Sequence, residues 1–489
     1  MLRAKMIREN APPSSPRGLA FIAMCLLSGC TLGPDYKRPE LQSPEAYRIE
    51  YPKAAEVANQ KWWELFGDPV LNQLVEEGLR TNLDIKAAAA RVDRFLGALS
   101  TTRSQLFPQF GYGGEASYNR ASRVAQPPLL PGDDNTYSLY QGSLSAGWQI
   151  DLFGRVRRQS EAVQAQVYAS EQGRRGVILS IVTTTANAYI GLRALDRQLQ
   201  IARDTASNYS ETQKLFDLRR KGGVISDLEL AQVDSQYQAA LAAIPSLEQA
   251  IAAQENFLSI LLGRHPGPIP RGRTLEELLA PAIPAGLPSE LLERRPDILQ
   301  AEQNLVSANA GIGAAKALYF PSFSLTGAVG TASLAFGNFL SGPASTAFLA
   351  ASVTGPLFTF GGISGQVRSA EAGKEEALLF YRQTILNALR ETNDALVGSQ
   401  KKLEESEAQA RRVRALRNYA RLSRVRFDNG AASYVEVLVA ENELFGAELA
   451  AVSSRAERLT QLINVYKAMG GGWVDISDRI ALPPDKTAP

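Results

Sequence analysis

The chain is written twice, and this constrains its fold more than any other feature. The segment "NLDIKAAAARVDRFLGALSTTRSQLFPQF" (82–110) lies over "RPDILQAEQNLVSANAGIGAAKALYFPSF" (295–323) without a gap. Asp84-Ile85 falls on Asp297-Ile298, and Phe107-Pro108 on Phe320-Pro321. From Phe153-Gly154 and Phe360-Gly361 onward, residue i matches residue i+207 as far as Gly263 and Gly470. One plan must therefore be built two times. Each copy predicts a first helix (about 68–105 and 289–317), two strands, a long helix, a tight turn and a returning helix. Between the copies, prolines at 266, 268, 270, 281, 284 and 288 mark a connector rather than a core element.

The long helices are proline-free. No proline occurs between Pro131 and Pro245, or between Pro356 and Pro483. In the first stretch Ile178, Val182, Thr185, Tyr189, Leu192, Leu195, Leu199, Ala202, Ala206 and Tyr209 step by threes and fours. In the second, Ile385, Leu389, Thr392, Leu396, Leu403, Ala410 and Val413 do the same. This is coiled-coil-like spacing. A helix over about 155–219 would be ~100 Å long at 1.5 Å per residue. Few soluble enzymes need such a rod.

The strands alternate. In "FGYGGEASYN" (110–119) the even positions are Phe, Tyr, Gly, Ala and Tyr, and the odd ones are small or polar. In "YQGSLSAGWQIDL" (140–152) the even side carries Tyr140, Leu144, Trp148, Ile150 and Leu152. The second copy alternates more weakly, through Phe323, Leu325 and Val329, then Leu349, Ala351, Val353 and Leu357. Strands of about ten residues with one apolar face and aromatic ends fit transmembrane β-strands. A soluble two-sheet sandwich gives the same pattern. Four strands cannot close a membrane barrel, since the smallest have about eight, and open edges are not tolerated in lipid. Membrane-spanning strands therefore require several chains to share one barrel.

The N-terminus is basic, with Arg3, Lys5, Arg8 and Arg17, and runs into nine apolar residues at 19–27. That run is a signal-peptide core, too short to span a bilayer. Leu27-Ser28-Gly29-Cys30 resembles the lipobox of bacterial lipoproteins. The resemblance implies that the Cys30 thiol receives a diacylglycerol, that the chain is cut before Cys30, and that the new amine is acylated. Thr31 stands where an Asp would retain such a protein at the inner membrane, so the outer membrane is expected. Removing 1–29 also removes Cys25, the other of the two cysteines, and leaves no disulfide framework. It removes four basic residues and one acidic one, leaving 48 basic against 49 acidic and a net charge of −1. That balance does not fit a nucleic-acid partner. The mature chain has no apolar run of eighteen, and no transmembrane helix is expected.

Several motifs together resemble the TolC-like outer-membrane efflux factor family, lipoprotein branch (OprM/NodT type). They are "GCTLGPDYKRP" (29–39), "WWELFGDPVLNQLVEEGLRTNLDI" (62–85), "DLFGRVRRQSEA" (151–162), "LPSELLERRPDI" (287–298), "LYFPSFSLTG" (318–327) and "RFDNGAASYVEVLVAENEL" (426–444). They span nearly all of the mature chain. The resemblance implies a membrane α+β fold: a homotrimer in which each chain gives four strands to one twelve-stranded barrel, continued by a periplasmic α-helical tunnel. It also implies a periplasmic adaptor and an inner-membrane transporter as partners, with outer-membrane lipid around the barrel. The expected organisation is a signal peptide (1–29), a first repeat (30–263), a connector (264–288), a second repeat (289–472) and a tail (473–489). No cofactor is expected beyond the covalent lipid on Cys30, S-diacylglycerol plus an N-acyl group.

The residues offer little chemistry. His265 is the only histidine and lacks a cysteine partner for zinc or nucleophilic work. "GGISG" (361–365) lacks the Lys-Ser/Thr ending of a phosphate loop and reads as the exit from strand to helix. The informative constellation is the helix turn, where "RRKGGVISDLEL" (219–230) aligns with "RFDNGAASYVEV" (426–437). Gly223 and Gly430 suit the left-handed end of a helix. Ser226 with Glu229, and Ser433 with Glu436, have capping-box spacing, which gives both glutamates a structural role. By the resemblance these turns face the inner-membrane end of the tunnel, where adaptors dock and the channel closes. The family's apolar closing ring falls at Val435, with Leu228 as its counterpart in the first copy. The family's aspartate ring falls at Val439, a departure, so Glu229 and Glu436 remain the alternative acidic groups. Arg219 and Arg426 are exposed candidates for docking. The reading is a passive, gated exit duct for small molecules, and not an enzyme. The alternatives are a protein-secretion duct and a periplasmic coiled-coil scaffold or adaptor lipoprotein.

Overall fold

A computed structural model describes residues 31–39, 61–122, 135–283, 291–470 and 473–481. The signal segment and Cys30 lie outside the described residues. The chain divides into two compact units, a sheet unit (1–39, 94–167 and 303–379) and a helical unit (40–93, 168–302 and 380–489).

The sheet unit holds β1 (Gln109–Arg120), β2 (Thr136–Ile150), β3 (Ser322–Ser333) and β4 (Ser345–Thr354). They form one antiparallel sheet in sequence order, with β1 and β4 at the edges. The register lines up the alternating residues of all four strands. Phe110, Ala146, Gly327 and Leu349 make one row, and Tyr112, Leu144, Val329 and Ala347 the next. Trp148, Leu325 and Ala351 make a third. Rows two residues apart share a face, so one face is apolar across these three rows and turns polar toward one end, where Thr331 lies opposite Ser345. The other face carries Gly113, Ser143, Gly330 and Thr346 in one row. Farther along, the hydroxyls of Ser324 and Ser352 lie 2.7 Å apart. Phe348, in a row with Ser145 and Ala328, is one exception, and Tyr137 and Leu139, opposite Asn119 and Ser117, are others. On the apolar face Tyr112 is 90% exposed and Leu144 64% exposed. Hydrocarbon, not water, suits such a continuous apolar face.

The helices repeat the sequence period. α1 (Pro69–Thr81) and α2 (Leu83–Ser104) precede the first strand pair, and α3 (Arg155–Lys221) and α4 (Asp227–Leu261) follow it. In the second copy α5 (Leu291–Arg294) and α6 (Pro296–Lys316) precede, and α7 (Gly362–Asp428) and α8 (Tyr434–Met469) follow. α3 and α7 each have 67 residues, and both ends of α7 lie 207 residues after those of α3 (155 and 221 against 362 and 428). Positive-φ glycines, Gly154 and Gly361, turn the chain into both.

The expected first helix of each copy is two helices. At Asn82 the backbone leaves helical geometry (φ −55°, ψ 132°). Its Oδ1 accepts from the N–H groups of Asp84 (2.8 Å) and Ile85 (3.1 Å), which caps α2. In the second copy Pro296 opens α6 at the position where a missing N–H costs nothing. Buried Arg295, at that break, donates to the Ala468 carbonyl (3.0 Å) and pairs with Asp297 and Glu391.

The core of the helical unit is aromatic. Trp62 and Trp63, on a short 3-10 helix (Trp62–Phe66), are fully buried. Trp62 stacks on Tyr466 at 5.4 Å and meets Trp473 edge-on at 5.8 Å. Trp473 opens α9 (Trp473–Ala481), so the segment set apart from the second repeat begins with a packed helix. The α3 stripe of Ile178, Val182, Thr185, Tyr189 and Leu192 is buried against this core. Each large apolar side chain buried this way contributes about 1.5–3 kcal/mol. One 18-residue window of α3 reaches a mean hydropathy of 1.2 although polar residues interrupt it. Of that window 67% is buried inside the protein, as in a core helix.

The connector departs from expectation. It lacks helix and strand where described, yet Ile269, Leu275 and Leu278 belong to the main core. Its polar backbone is satisfied by buried side chains. Gly272 N–H donates to the Tyr189 hydroxyl (2.8 Å), and Arg273 N–H to Asp68 Oδ2 (3.0 Å). Tyr189 in turn donates to Asp68 (2.8 Å). Prolines stop regular structure but do not stop burial when each N–H and C=O finds a partner.

Candidate functional site

The two hairpin tips lie in the helical unit and end their helices in the same way. Gly223 and Gly430 have φ of +71° and +70°, which a side chain would strain. Behind each glycine the next N–H reaches back five residues: Val224 to the Arg219 carbonyl (2.9 Å), and Ala431 to the Arg426 carbonyl (2.8 Å). This is the Schellman closure, and it satisfies carbonyls that the helix end leaves free.

Beyond the turn the two copies diverge. In the first, Ser226 and Glu229 form the expected capping box. Glu229 N–H donates to Ser226 Oγ (3.3 Å), and Ser226 N–H donates to Glu229 Oε2 (2.8 Å). In the second copy the expected box is absent. Ser433 is the N-cap residue but its side chain caps nothing. Glu436 instead accepts from Arg426 Nη1 at 2.8 Å, and Arg426 also donates to the Ala431 carbonyl (3.3 Å). Arg426 is thus a brace across the turn rather than an unengaged cation. Arg219 differs again, lying over the rings of Phe216 (5.9 Å) and Phe427 (5.7 Å).

Those rings join the tips. Phe216 and Tyr434 approach to 4.3 Å, and Phe427 and Tyr434 to 5.0 Å. Val233, Val437 and Leu438 pack around them. This cluster was not singled out in the sequence; three aromatics bracketing the turns were its only signal. Leu228 and Val435 are exposed, and so is Val439. The carboxylates of Glu229 and Glu436 each have a local partner, one a cap and the other an arginine.

A further acidic group lies one turn deeper. Glu441 shares a groove of about 470 Å³ with Tyr209, Arg417, Arg421 and Arg424. Burial pushes its carboxyl up, and Arg424, 3.9 Å away, opposes this only in part. Tyr434 is pushed up to about 12 by burial and then by Glu441. His265 is exposed in the connector.

An open sheet with an apolar outer row, joined to paired 67-residue helices that turn back at closed tips, is the plan of an outer-membrane channel protein. The comparisons agree. The sequence matches the model of the family described as outer membrane efflux protein over residues 74–264 and 287–471. It is 33% identical over 458 residues to the probable efflux pump outer membrane protein TtgC of Pseudomonas putida, covering 92% of this chain and 94% of that one. It is 31% identical to the cation efflux system protein CusC of Escherichia coli, covering 93% and 98%. The crystal structure of the open state of the outer membrane channel MtrE of Neisseria gonorrhoeae superposes with a TM-score of 0.81 at 29% identity, covering 91% and 99%. The chain belongs to the outer membrane efflux protein family. It is an outer-membrane channel protein for efflux, with the TolC-like fold that its motifs implied. That sets aside the scaffold and secretion readings.

Proposed function

We propose that three copies of this chain close one twelve-stranded barrel and form the passive exit duct of a tripartite efflux assembly. A periplasmic adaptor would dock at the hairpin tips, and an inner-membrane transporter would supply the drive. The observation that carries this reading is the sheet: four strands in line, with two open edges and an apolar face. Such a sheet is compatible with lipid only when β4 of one copy pairs with β1 of the next. The duct catalyses no reaction. Cys30 carries the thioether-linked diacylglycerol and an N-acyl chain. Adaptor binding would part the apolar residues Leu228 and Val435, which exclude water without bonding strongly. Gly223, Ser226, Gly430 and Ser433 shape the tips that the adaptor meets, braced by Arg219 and Arg426. A related channel, MtrE, has a crystallised open state, which supports a gate that moves.

The test is conductance of the purified protein in a planar bilayer, with subunits counted by cross-linking. Discrete channels from a three-subunit species are expected. A monomer, or a trimer that never conducts, refutes the reading.

A further inference from the structure

The segment directly after Cys30 is held more tightly than an anchor's tether needs to be. Residues 31–35 pass between the start of α3 and the middle of α6, all within the sheet unit. Buried Arg158, in the first turn of α3, points its guanidinium at this strand of chain. Nε donates to the Leu32 carbonyl (3.0 Å), and Nη2 to the Gly33 carbonyl (3.4 Å) and to Asp35 Oδ1 (2.7 Å). Nη1 is held by Glu161 (2.7 Å). From the other side Asn309, also buried, donates to the Pro34 carbonyl (2.8 Å). Three consecutive carbonyls are thus claimed by two side chains, one from each sequence repeat.

The steric fit is equally close. Gly33 has φ +92°, and a Cβ there would lie 2.4 Å from Gly313 Cα. A Cβ on Gly313 would lie 2.4 Å from the Leu32 carbonyl oxygen and 2.8 Å from Arg158 Cγ. Thr31 rests on Gly154, the glycine that turns β2 into α3, where a Cβ would meet Thr31 Cα at 3.0 Å. Neither Gly33 nor Gly313 can be replaced without moving the main chain of the other strand.

We propose that residues 31–35, Arg158, Asn309 and Gly313 form a latch that fixes the lipid-bearing end of the chain at the junction where strands become helices. Arg158 and Asn309 are positioning residues acting through the backbone of 32–34. Residue 30 is one peptide unit, about 3.8 Å, from Thr31. Acyl chains on it therefore enter lipid beside the helix end of the strands instead of on a free tether. The latch also staples the two repeats together at that level. This rests on the proposed acylation of Cys30 only for what the latch carries; the latch itself stands on the contacts.

The natural sequence supplies a probe. Lys37-Arg38 is a trypsin site two residues beyond Asp35, and Lys37 is exposed. Purified full-length protein in detergent is treated with trypsin, and the peptide of residues 30–37 is followed by mass spectrometry, with labelled palmitate read separately. The wild type should release this peptide slowly. Gly313→Ala, Gly33→Ala, Arg158→Leu and Asn309→Ala should each release it at least tenfold faster, with assembled trimer and palmitate content unchanged. Arg158→Lys keeps the charge but not the fork, and should fall between. Alanine favours helix over glycine, so faster release from Gly313→Ala is not a weakened α6. If Arg158→Leu does not assemble, the two glycine variants decide. Release at the wild-type rate from assembled Gly313→Ala and Gly33→Ala overturns the latch. Absence of acyl mass on the wild-type peptide overturns the lipid assignment and leaves the latch to be judged on cleavage.

Discussion

The two tips should respond unequally to the same substitution. Ser226→Ala removes the acceptor of the Glu229 N–H, a bond of 3.3 Å at an exposed helix start. Loss of a Ser N-cap costs ~0.5–2 kcal/mol. The length of this bond, and the Glu229 carboxylate that still accepts from Ser226 N–H at 2.8 Å, place the cost in the lower half of that range. About 0.5–1 kcal/mol corresponds to a roughly two- to fivefold larger population of the opened first turn of α4. Ser433→Ala removes no cap bond and should leave α8 unchanged. What holds the second tip is Arg426. Arg426→Gln deletes an ion pair at 2.8 Å between partly exposed groups, worth ~0.2–1 kcal/mol and weakened by salt.

Hydrogen exchange of peptides covering each turn, at low and high salt, separates these effects. Ser226→Ala should speed exchange at the first tip at both salt levels. Arg426→Gln should speed it at the second tip, mainly at low salt. If Ser433→Ala accelerates exchange as much as Ser226→Ala, the reasoning is wrong, because both serines then cap. An Arg426→Gln effect independent of salt would show that the brace is packing rather than charge.

Charging the two sheet faces should also differ: Leu144→Arg puts a cation into hydrocarbon at ~2–4 kcal/mol near the midplane and should abolish trimer, whereas Ser143→Arg should assemble. Equal trimer yields on gels would mean that the faces are reversed or not in lipid. Leu144 is the cleaner probe than Trp148, whose indole N–H donates to the Leu106 carbonyl (2.9 Å). Val435→Ala should raise single-channel conductance, and unchanged conductance would place the constriction elsewhere. Glu441 is held above the ordinary glutamate value by burial, so its contribution to stability is full below that value and lost as pH rises through the raised one. Glu441→Gln should therefore stabilise the tip at neutral pH and flatten the decline in stability on leaving mild acid; a melting temperature that falls at neutral pH would count against the burial argument.

The legible parts of this molecule are those that a period can carry. Spacing by threes and fours placed α3 to within two residues and marked the stripe of α7, and alternation marked the four strands and their apolar face. Both signals are local and repeat many times. What escaped depends on one neighbour. Pro245 lies inside α4 instead of ending it, and prolines did not keep Ile269 or Leu275 out of the core, because Asp68 and Tyr189 satisfy the adjoining backbone. The tips make the point most sharply. Ser-x-x-Glu occurs in both copies at identical spacing, yet only one is a capping box. The first copy has Asp227 beside the turn, and Arg220 takes it (3.3 Å). Arg219 meanwhile lies over Phe216 and Phe427, and Glu229 is left for Ser226. In the second copy Asp227 becomes Tyr434, whose ring is buried among Phe216 and Phe427. There Arg426, the counterpart of Arg219 and not of Arg220, takes Glu436, and Ser433 is left without a cap bond. The fate of this four-residue motif thus turns on whether a neighbouring arginine reaches its glutamate, which the motif leaves unspecified.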